Sequence, residues 1–452
     1  MGRMLFGTDG IRGESNVFPM LPEIALQVGR AIGYLFKNND SPHKSKVVIG
    51  KDTRLSGYVF ESALVAGLCS MGVDAWLVGP IPTPGVAFLT KDMRADAGIV
   101  ISASHNPYYD NGIKIFDKKG FKLPDEIEEK IEDLVFDEKF KDVRVYRESF
   151  GRAHRIVDAL GRYGVHLKSV VPSEVNFEGI KVVVDCANGA AYHIAPRTLE
   201  ELGAEVISLG CKPDGININE GCGALHPELM QRVVLDTKAD IGIALDGDAD
   251  RIVVCDEKGN LIDGDDILAA FALELKEKNA LSANTVVGTV MSNLGLEKFL
   301  QGLGIQFLRA PVGDRYVVLK MKETGSILGG ETSGHIIFLD KATTGDGLLT
   351  GIRLISLMKQ KQKPLSELVN LFDKYPQVIE NVKVKKKLPV NEIEGMESVL
   401  KEAQSKLGQK GRIVVRPSGT EPKYRVMVEG EDEKFVRELA KEIAEFIKKK
   451  LD

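Results

Sequence analysis

The chain repeats itself, and this repeat limits the folds that it can adopt. Residues 95–107, ADAGIVISASHNP, can be laid over residues 239–251, ADIGIALDGDADR, because both read Ala-Asp, one variable residue, Gly-Ile, two more apolar residues and a polar loop. A third copy begins near Thr285 and closes with GSILGGETSGH from Gly325. Each copy is predicted to run strand, helix, strand, helix, strand and loop. Short apolar strands that alternate with helices indicate parallel β/α sheets buried on both faces.

The last part of the chain follows a different pattern. A segment before residue 390 alternates like a half-exposed strand, a helix is predicted to end at Gly408, and residues 411–430 read as two strands around a turn-rich loop. Residues 372–382, with Pro376 as a helix stop, are predicted to be a linker. We therefore predict an α/β protein with three related domains of mixed or parallel sheets and a smaller C-terminal α+β domain. The predicted domains are 1–152, 153–255, 256–371 and 372–452.

Composition excludes several classes of protein. The 452 residues are 43% hydrophobic and 28% charged, which suits several globular domains. No stretch approaches the ~18 apolar residues of a membrane span and no signal-peptide pattern is present, so we expect a cytoplasmic protein without a membrane partner. The net charge of −5, without a basic block, argues against nucleic acid as a partner. The five cysteines include no C-x-x-C pair, which favours neither disulfides nor zinc.

The second copy ends in three aspartates, Asp246, Asp248 and Asp250, between two apolar strands. Three carboxylates this close repel each other at pH 7 unless a cation lies between them. Oxygen ligands alone favour a hard ion such as Mg2+ or Mn2+ over zinc or copper. An EF-hand is excluded because Arg251 stands where that loop requires glycine. The alternative is a solvated acidic turn, although the flanking strands would bury part of it.

The first copy places Ser104 in the loop after its third strand, at the position that matches Asp248. No G-x-S-x-G motif is present and His105 directly follows the serine, which disfavours a hydrolase triad. A phosphorylated serine beside a metal could instead donate its phosphoryl group. Lys114, beyond a predicted Asn111–Gly112 turn, could act as acid, base or charge partner. The alternative is that SHNP forms an ordinary turn.

Two further loops carry groups suited to a sugar phosphate. GGETSGH offers Glu331, Ser333 and His335 between glycines that let the backbone approach a ligand, although an ordinary Gly-rich turn could read the same. RPSGTEPKYR has the arginines, small polar residues and backbone N–H groups that hold a dianionic phosphate, namely Arg416, Ser418, Gly419, Thr420 and Arg425. Because ligands collect beyond the carboxyl ends of parallel strands, we expect the repeated loops to face one site.

Taken together, SASHNP, DGDADR, GGETSGH and RPSGTEP resemble the α-D-phosphohexomutase superfamily in order and spacing, over essentially the whole chain. The resemblance implies an isomerase with four domains around a central cleft. It implies that Ser104 is a phosphoserine that also contacts the metal. It further implies that Asp246, Asp248 and Asp250 bind one Mg2+ per subunit and that Arg251 contacts the phosphoryl group.

The resemblance implies roles for the remaining loops as well. Lys114 and His335 are implied in proton transfer, and Arg12 in FGTDGIRG resembles an N-terminal active-site arginine of the superfamily. Glu331 and Ser333 are implied as contacts to sugar hydroxyls. The implied phosphate site consists of Arg416, Ser418, Gly419, Thr420 and Arg425.

The implied reaction moves the serine phosphate to the free hydroxyl of a hexosamine 6-phosphate. The resulting hexose 1,6-bisphosphate turns around in the cleft and returns its other phosphate to the serine. FGTDGIRG and NPYYDNGIK resemble the glucosamine branch more than the glucose/mannose branch, which is the alternative. Thr332, where glutamine is usual, and Ile115, where phenylalanine is usual, depart from the commonest pattern.

Other readings of the same motifs come from different classes. A metal-dependent phosphatase would release inorganic phosphate, and a non-catalytic sugar-phosphate binder would show affinity without turnover. The resemblance also suggests a homodimer formed through the first domain.

Overall fold

The computed structural model describes residues 4–7, 9–37, 43–386, 388–417 and 423–451. These residues form four sheets, which we assign to domains I to IV. Domain I has the strands β1 (Phe6–Gly7), β2 (Gly10–Glu14), β3 (Lys46–Lys51), β4 (Asp74–Pro80), β5 (Ala97–Ile101), β6 (Asp110–Asp117) and β7 (Ala153–Arg155). Its helices are α1 (Pro22–Leu35), α2 (Gly57–Ser70), α3 (Thr83–Asp92) and α4 (Asp125–Phe136).

Domains II and III follow the same plan with fewer strands. Domain II contains α5 (Ala159–Lys168), β8 (Lys181–Asp185), α6 (Ile194–Glu201), β9 (Glu205–Leu209), α7 (Glu228–Thr237), β10 (Ile241–Leu245), β11 (Ile252–Asp256) and β12 (Leu261–Ile262). Domain III contains α8 (Gly264–Glu277), β13 (Thr285–Thr289), α9 (Leu294–Gly302), β14 (Gln306–Ala310), α10 (Asp314–Thr324), β15 (Leu328–Gly330), β16 (Ile336–Phe338), α11 (Gly347–Lys361) and α12 (Ser366–Val369).

Domain IV is smaller and its sheet is antiparallel. It contains β17 (Gln377–Lys383), α13 (Met396–Leu407), β18 (Gly411–Pro417), β19 (Lys423–Gly430) and α14 (Glu433–Leu451). The strand order is β17-β19-β18. Helix α14 covers the sheet because its apolar residues recur at helical spacing on one face, as Val436, Leu439, Ile443 and Ile447 do.

The sequence repeat corresponds to a repeated sheet in domains I to III. In each domain one strand pairs in parallel with two neighbours, as β3 does with β4 and β5, β8 with β9 and β10, and β13 with β14 and β15. A further strand then returns antiparallel to the third strand of the repeat, giving the pairs β5 with β6, β10 with β11 and β15 with β16. The predicted fold class is confirmed, and each polar motif lies at the tip of a hairpin.

Strand pairing differs from three sequence expectations. Strand β7 pairs with β4 and β12 pairs with β11, so residues 153–155 and 256–262 complete the sheets that precede the expected boundaries. The expected linker at 372–382 lies outside helices and strands only as far as Pro376, because β17 pairs with β19 from Gln377 onward. The prediction of an Asn111–Gly112 turn is wrong, because both residues lie within β6 and pair with β2.

The apolar cores divide the molecule into two parts. One cluster of buried residues is continuous through domains I, II and III, whereas domain IV has a cluster of its own. The other face of the domain I sheet packs against α1, α2 and α4. The three repeated domains therefore pack as one unit, and polar contacts join domain IV to it, between Arg412 in β18 and Val290 in the loop after β13 and between Glu429 in β19 and Leu294 at the start of α9.

Candidate active site

Ser104 lies in the loop between β5 and β6 and is held there through its backbone. Its carbonyl oxygen accepts hydrogen bonds from Arg54 Nη2 at 3.0 Å and from Asn219 Nδ2 at 2.9 Å, and its N–H donates to Ser102 Oγ at 2.9 Å. Its φ of 54° is uncommon for a residue with a side chain. These three contacts stabilise a strained backbone that turns the hydroxyl toward domain II.

The hydroxyl of Ser104 meets the carboxylate loop of domain II. Ser104 Oγ donates a 2.6 Å hydrogen bond to Asp246 Oδ2, and both side chains are buried. The two loops belong to different domains and are 142 residues apart in the chain. The structure therefore brings the predicted phosphoserine and the predicted metal ligands together at one point.

The three aspartates form one buried cluster. Ligand oxygens of Asp246, Asp248 and Asp250 lie within 4.8 Å of one another. Asp248 Oδ1 and Asp250 Oδ1 are buried without a hydrogen-bond partner. Burial and the charges of Asp250 and Asp248 raise the pKa of Asp246 to about 8. A cation bound among the aspartates would give the two unpartnered oxygens a ligand and would stabilise the ionised form of Asp246. The cluster therefore fits a hard divalent ion.

Lys114 is the positive charge nearest to this cluster. Its Nζ lies 2.8 Å from Asp248 Oδ2, 3.2 Å from Asp250 Oδ2 and 3.4 Å from Asp9 Oδ2. Burial opposes its ionisation, but these carboxylates outweigh that effect and raise the pKa of Lys114 well above its usual value. In this arrangement Lys114 is a protonated counterion of the carboxylates.

His335 extends the cluster into domain III. Its Nδ1 lies 3.6 Å from Asp250 Oδ1, and its Nε2 lies 3.3 Å from Asp314 Oδ2. Burial lowers the pKa of His335, whereas the two carboxylates raise it more strongly. The Gly345 N–H donates a 2.9 Å hydrogen bond to His335 Nε2. This hydrogen bond requires a lone pair on Nε2, which is lost when that nitrogen is protonated, so it opposes the increase in the pKa of His335.

Two arginines, Arg12 and Arg251, lie near His105, the residue that follows Ser104. Arg12 pairs with Asp9, and the backbone N–H of Arg251 donates to Asp246 Oδ1 at 3.2 Å. Arg251 Nη1 is 3.3 Å from Nδ1 of His105, the residue that follows Ser104. Burial and the charges of Arg251 and Arg12 lower the pKa of His105 to about 4, so this imidazole is neutral at pH 7. Because His105 is neutral, Arg251 and Arg12 are the positive groups beside it, and their charges also act on the carboxylate cluster.

The GGETSGH loop of domain III is anchored to domain II. The N–H of Ile252 in β11 donates to the Gly334 carbonyl oxygen at 3.1 Å. Glu331 is buried and accepts from the Gly313 N–H at 2.9 Å, whereas Ser333 is exposed. Thr332, the departure from the family pattern, donates to Asp265 Oδ2 at 3.1 Å.

The predicted phosphate site is described in part. Arg416 in β18 and Arg425 in β19 stand directly opposite each other, so their side chains share a face of the sheet. Burial lowers the pKa of Arg416, as does the neighbouring charge of Arg425. Arg416 Nε is buried without a partner. Two crowded guanidinium groups suit an anion, and the predicted contacts Ser418, Gly419 and Thr420 lie outside the described residues.

Several charged residues at the site were missed by sequence reasoning. Lys122 pairs with Asp9 and with Asp314 Oδ2, the latter at 2.6 Å, and thereby connects domain I to domain III. Asp9 stands in the same motif as Arg12, which was a usable signal. Lys122 lies outside the quoted motifs, Asp314 lies within the third copy but not in its closing loop, and only the folded chain shows that they meet.

The comparisons with known proteins agree with this architecture. Models of the four phosphoglucomutase/phosphomannomutase domains match the chain in order, namely the alpha/beta/alpha domain I at residues 3–142, domain II at 161–259, domain III at 263–375 and the C-terminal domain at 380–446. Three repeated α/β domains with a serine and a carboxylate cluster at their junction define the class, that of the phosphohexomutases. The chain belongs to the phosphoglucomutase/phosphomannomutase family, and it is accordingly an isomerase.

The more similar relatives share one name. The chain is 55% identical over 452 residues to the phosphoglucosamine mutase of Anaeromyxobacter dehalogenans, with 98% of each chain covered. It is 54% identical to the phosphoglucosamine mutase of Desulfotalea psychrophila, with 99% of each covered. These relatives confirm the expected superfamily at the level of sequence.

Solved structures share the fold over almost the whole chain. A phosphoglucomutase/phosphomannomutase family protein from Burkholderia thailandensis is 26% identical with a TM-score of 0.80, covering 98% of this chain and 97% of that one. The N-acetylphosphoglucosamine mutase of Aspergillus fumigatus, solved with GlcNAc-6P and magnesium, is 18% identical with a TM-score of 0.67, covering 99% and 96%. None of the described helices is long and apolar enough to cross a membrane.

Proposed function

We propose that this phosphohexomutase interconverts glucosamine 6-phosphate and glucosamine 1-phosphate. The observation that carries the proposal is the 2.6 Å contact between Ser104 Oγ and Asp246 in a buried carboxylate cluster bordered by arginines. Such a site suits phosphoryl transfer, in which charge on the phosphoryl oxygens must be neutralised. The amino-sugar substrate is supported by full-length relatives above 50% identity that are named phosphoglucosamine mutase.

Ser104 is proposed to carry the phosphate between the two ends of the sugar. Asp246, Asp248 and Asp250 would hold one Mg2+ together with the serine phosphate, and the ion would supply charge neutralisation for the phosphoryl oxygens. Arg54 and the other groups that fix the Ser104 backbone would keep the serine oxygen in line with the incoming hydroxyl. The sugar would pass through a hexose 1,6-bisphosphate, which also serves to reload the serine.

Charged side chains around Ser104 are proposed to assist the transfer. Arg251 and Arg12 would contact the phosphoryl group from the side of the cleft, as their positions beside His105 and Asp9 allow. Lys114 would hold or move the proton of the reacting hydroxyl, with His335 as a second candidate for that role.

The other loops are proposed to hold the sugar and the phosphate that is not reacting. Glu331 and Ser333 would contact the sugar hydroxyls, since Glu331 is fixed by the Gly313 N–H and Ser333 is open to solvent. The phosphate site would comprise Arg416, Ser418, Gly419, Thr420 and Arg425. A fixed site for one phosphate lets the bisphosphate present either end to Ser104.

A phosphorus NMR time course tests this proposal. Glucosamine 6-phosphate, glucose 6-phosphate and mannose 6-phosphate are offered separately, with Mg2+ and a trace of sugar bisphosphate. Fastest conversion of the amino sugar to its 1-phosphate is expected. Faster turnover of a neutral hexose would retain the mutase and favour the phosphomannomutase/phosphoglucomutase alternative, and release of inorganic phosphate alone would indicate a phosphatase.

We also propose that the enzyme is a cytoplasmic homodimer formed through domain I. The support is a set of exposed apolar side chains beside the Ser104 loop, including Val17, Phe18, Tyr108 and Tyr109. Light scattering after gel filtration is expected to give twice the chain mass of 49.4 kDa. A monomer at micromolar concentration would contradict the proposal.

A further inference from the structure

A cavity lies where domains I, II and III meet, and its walls contain none of the site residues described above. Its volume is about 440 Å³, and it is bordered by α3, by α5 and by residues 339–346, which connect β16 to α11. We call it the junction cavity. Small-molecule sites commonly measure about 300–1,000 Å³ and often occur at domain interfaces.

Three lysines border the junction cavity, namely Lys91, Lys119 and Lys341. Across the described ranges of the chain, no carboxylate lies within ion-pair distance of Lys91 or Lys119. Lys341 has one exposed partner, Asp340, at 3.5 Å, and the nearby Asp92 is paired with Arg162 at 3.3 Å. Asp92, Asp340 and Asp346 also line the cavity, but Lys91 and Lys119 have no ion-pair partner among the described residues and can hold an anionic ligand, and phosphate is a common partner of lysine.

Two stacked rings form another part of the wall. Phe88 and His166 lie 4.3 Å apart between ring centroids, at 16° to each other. Burial lowers the pKa of His166, and the charges of Lys341 and Lys91 lower it further, so the imidazole is neutral at pH 7. Neutral aromatic side chains beside a cluster of ammonium groups match a ligand with a flat ring and a charged tail.

The floor of the cavity belongs to a segment that also contacts the active site. Asp346 lines the cavity, but its oxygens already accept hydrogen bonds from the Tyr163 hydroxyl at 2.7 Å and the Leu349 N–H at 2.9 Å. The adjacent Gly345 N–H donates to His335, and the Gly347 N–H donates to the carbonyl oxygen of Ala249, within the carboxylate loop, at 3.0 Å.

We propose that the junction cavity binds a nucleoside diphosphate. The diphosphate would lie among Lys91, Lys119 and Lys341, and the base would lie against Phe88 and His166. Binding at this place is independent of the proposed mutase activity. A bound nucleotide would connect domains I and III and contact the segment that supports both His335 and the carboxylate loop.

Calorimetry on the full chain tests the site directly, with UDP as the probe. The double variant Lys91→Glu/Lys119→Glu is expected to bind UDP at least about 10-fold more weakly than the native chain. The matched control Lys118→Glu changes the exposed neighbour of Lys119, which does not line the cavity, and should leave UDP affinity within twofold. Undetectable UDP binding to the native chain, or equal loss in the control, would overturn the proposal.

Three further measurements define this site and separate it from the proposed substrate phosphate site. Lys341→Glu changes a third exposed residue and should also weaken UDP binding, which keeps the test decisive if the double variant fails to fold. Arg416→Ala should leave UDP affinity unchanged, and weakened UDP binding there would assign the nucleotide to the substrate phosphate site instead. Inorganic pyrophosphate should bind at least about 10-fold more weakly than UDP, and equal affinity would remove the role of the rings.

The outcomes distinguish this inference from the proposed function. If glucosamine 6-phosphate is converted but UDP does not bind, only the junction site fails. If UDP binds through the three lysines but no sugar phosphate is converted, only the proposed function fails.

Discussion

Ser104 carries the proposed reaction on a single oxygen atom. Ser104→Ala removes that oxygen but leaves the backbone contacts from Arg54 and Asn219, so we expect kcat to fall at least about 1,000-fold while the fold is retained. Steady-state kinetics and thermal unfolding measure both effects. Ser62→Ala, on the exposed side of α2, is the matched control and should retain native activity. Ordinary turnover by Ser104→Ala would remove the phosphoserine assignment.

Asp248 contributes one of the proposed metal ligands. Asp248→Asn removes a charge from the cluster, and we expect divalent affinity to fall at least about 10-fold. Mn2+ binding followed by electron paramagnetic resonance measures this without reference to turnover, and the Mg2+ dependence of activity provides a second readout. Asp236→Asn, on the exposed face of α7, should change neither. Native Mn2+ affinity in Asp248→Asn would argue against a metal site here.

Asp265 makes stability depend on pH. Burial and the charge of Asp263 raise its pKa to about 7 from an ordinary value of 3.8. The folded state therefore holds this proton more tightly than the unfolded chain does, and its stabilising effect is lost as pH rises from about 4 through 7. Asparagine cannot titrate, so Asp265→Asn should be more stable than the native chain by about 1–3 kcal/mol at pH 8 but not at pH 4. Urea unfolding at both pH values measures the difference, and parallel pH profiles would contradict the assignment.

At the scale of the element, the GGETSGH loop depends on a close approach between two domains. Gly334 has a φ of 87°, and a Cβ there would lie 1.8 Å from the Ile252 carbonyl oxygen in β11. Gly334→Ala should therefore destabilise the protein by about 2 kcal/mol or more and displace Glu331 and Ser333 from the cleft.

Gly161→Ala in α5 provides the matched control for this prediction. A Cβ at Gly161 would meet no atom within 4 Å. Because alanine favours helix, stability should rise by up to about 1 kcal/mol. Thermal unfolding of both variants measures the contrast. Equal changes in the unfolding temperature of the two variants would show that the Ile252 carbonyl oxygen does not lie close to Gly334.

The hairpin loops show how far sequence alone predicts this protein. The strands of the repeat and the residues at their tips could be predicted because each copy carries the same local pattern. Asn111 and Gly112 have the composition of a turn, yet Asn111 is buried and donates to Ser56 Oγ at 2.8 Å, a contact that local sequence does not reveal. Strands β7 and β12 were assigned to the wrong side of a boundary because each joins its sheet through pairing with an earlier strand. Lys122 and Asp314 were missed for the same reason, since their partners lie far along the chain.

At the scale of the whole molecule, the contact between domain IV and domain III can be weakened without disrupting domains I to III. The core of domain IV is distinct, and Arg412 joins this domain to domain III by donating to the carbonyl oxygens of Val290 and Ser292 while pairing with Glu429. Arg412 lies four residues before Arg416 on β18. Arg412→Ala should therefore raise KM for the sugar phosphate about 10-fold while kcat changes less.

Limited proteolysis provides the second readout for Arg412→Ala. Cleavage between domains III and IV should become faster in the variant if the contact holds the two domains together. Arg437→Ala removes an exposed arginine on α14 that pairs with Glu433 of the same helix, and it should behave as the native chain does. A selective fall in kcat without any change in KM or cleavage would contradict a positioning role for Arg412.

The antiparallel return after each third strand has a consequence for how such enzymes could diversify. Both ends of each of the three hairpin loops in domains I to III are fixed by adjacent, hydrogen-bonded strands, as Ile101 and Ile113 are on either side of Ser104. A duplicated ancestor could therefore have changed the chemistry of one tip without shifting the others, because the supporting ladder stays in register. Because paired strands fix both ends of each loop, the three loops can be exchanged separately. A loop grafted from another hexose phosphate enzyme should therefore alter substrate specificity and leave the sheets intact.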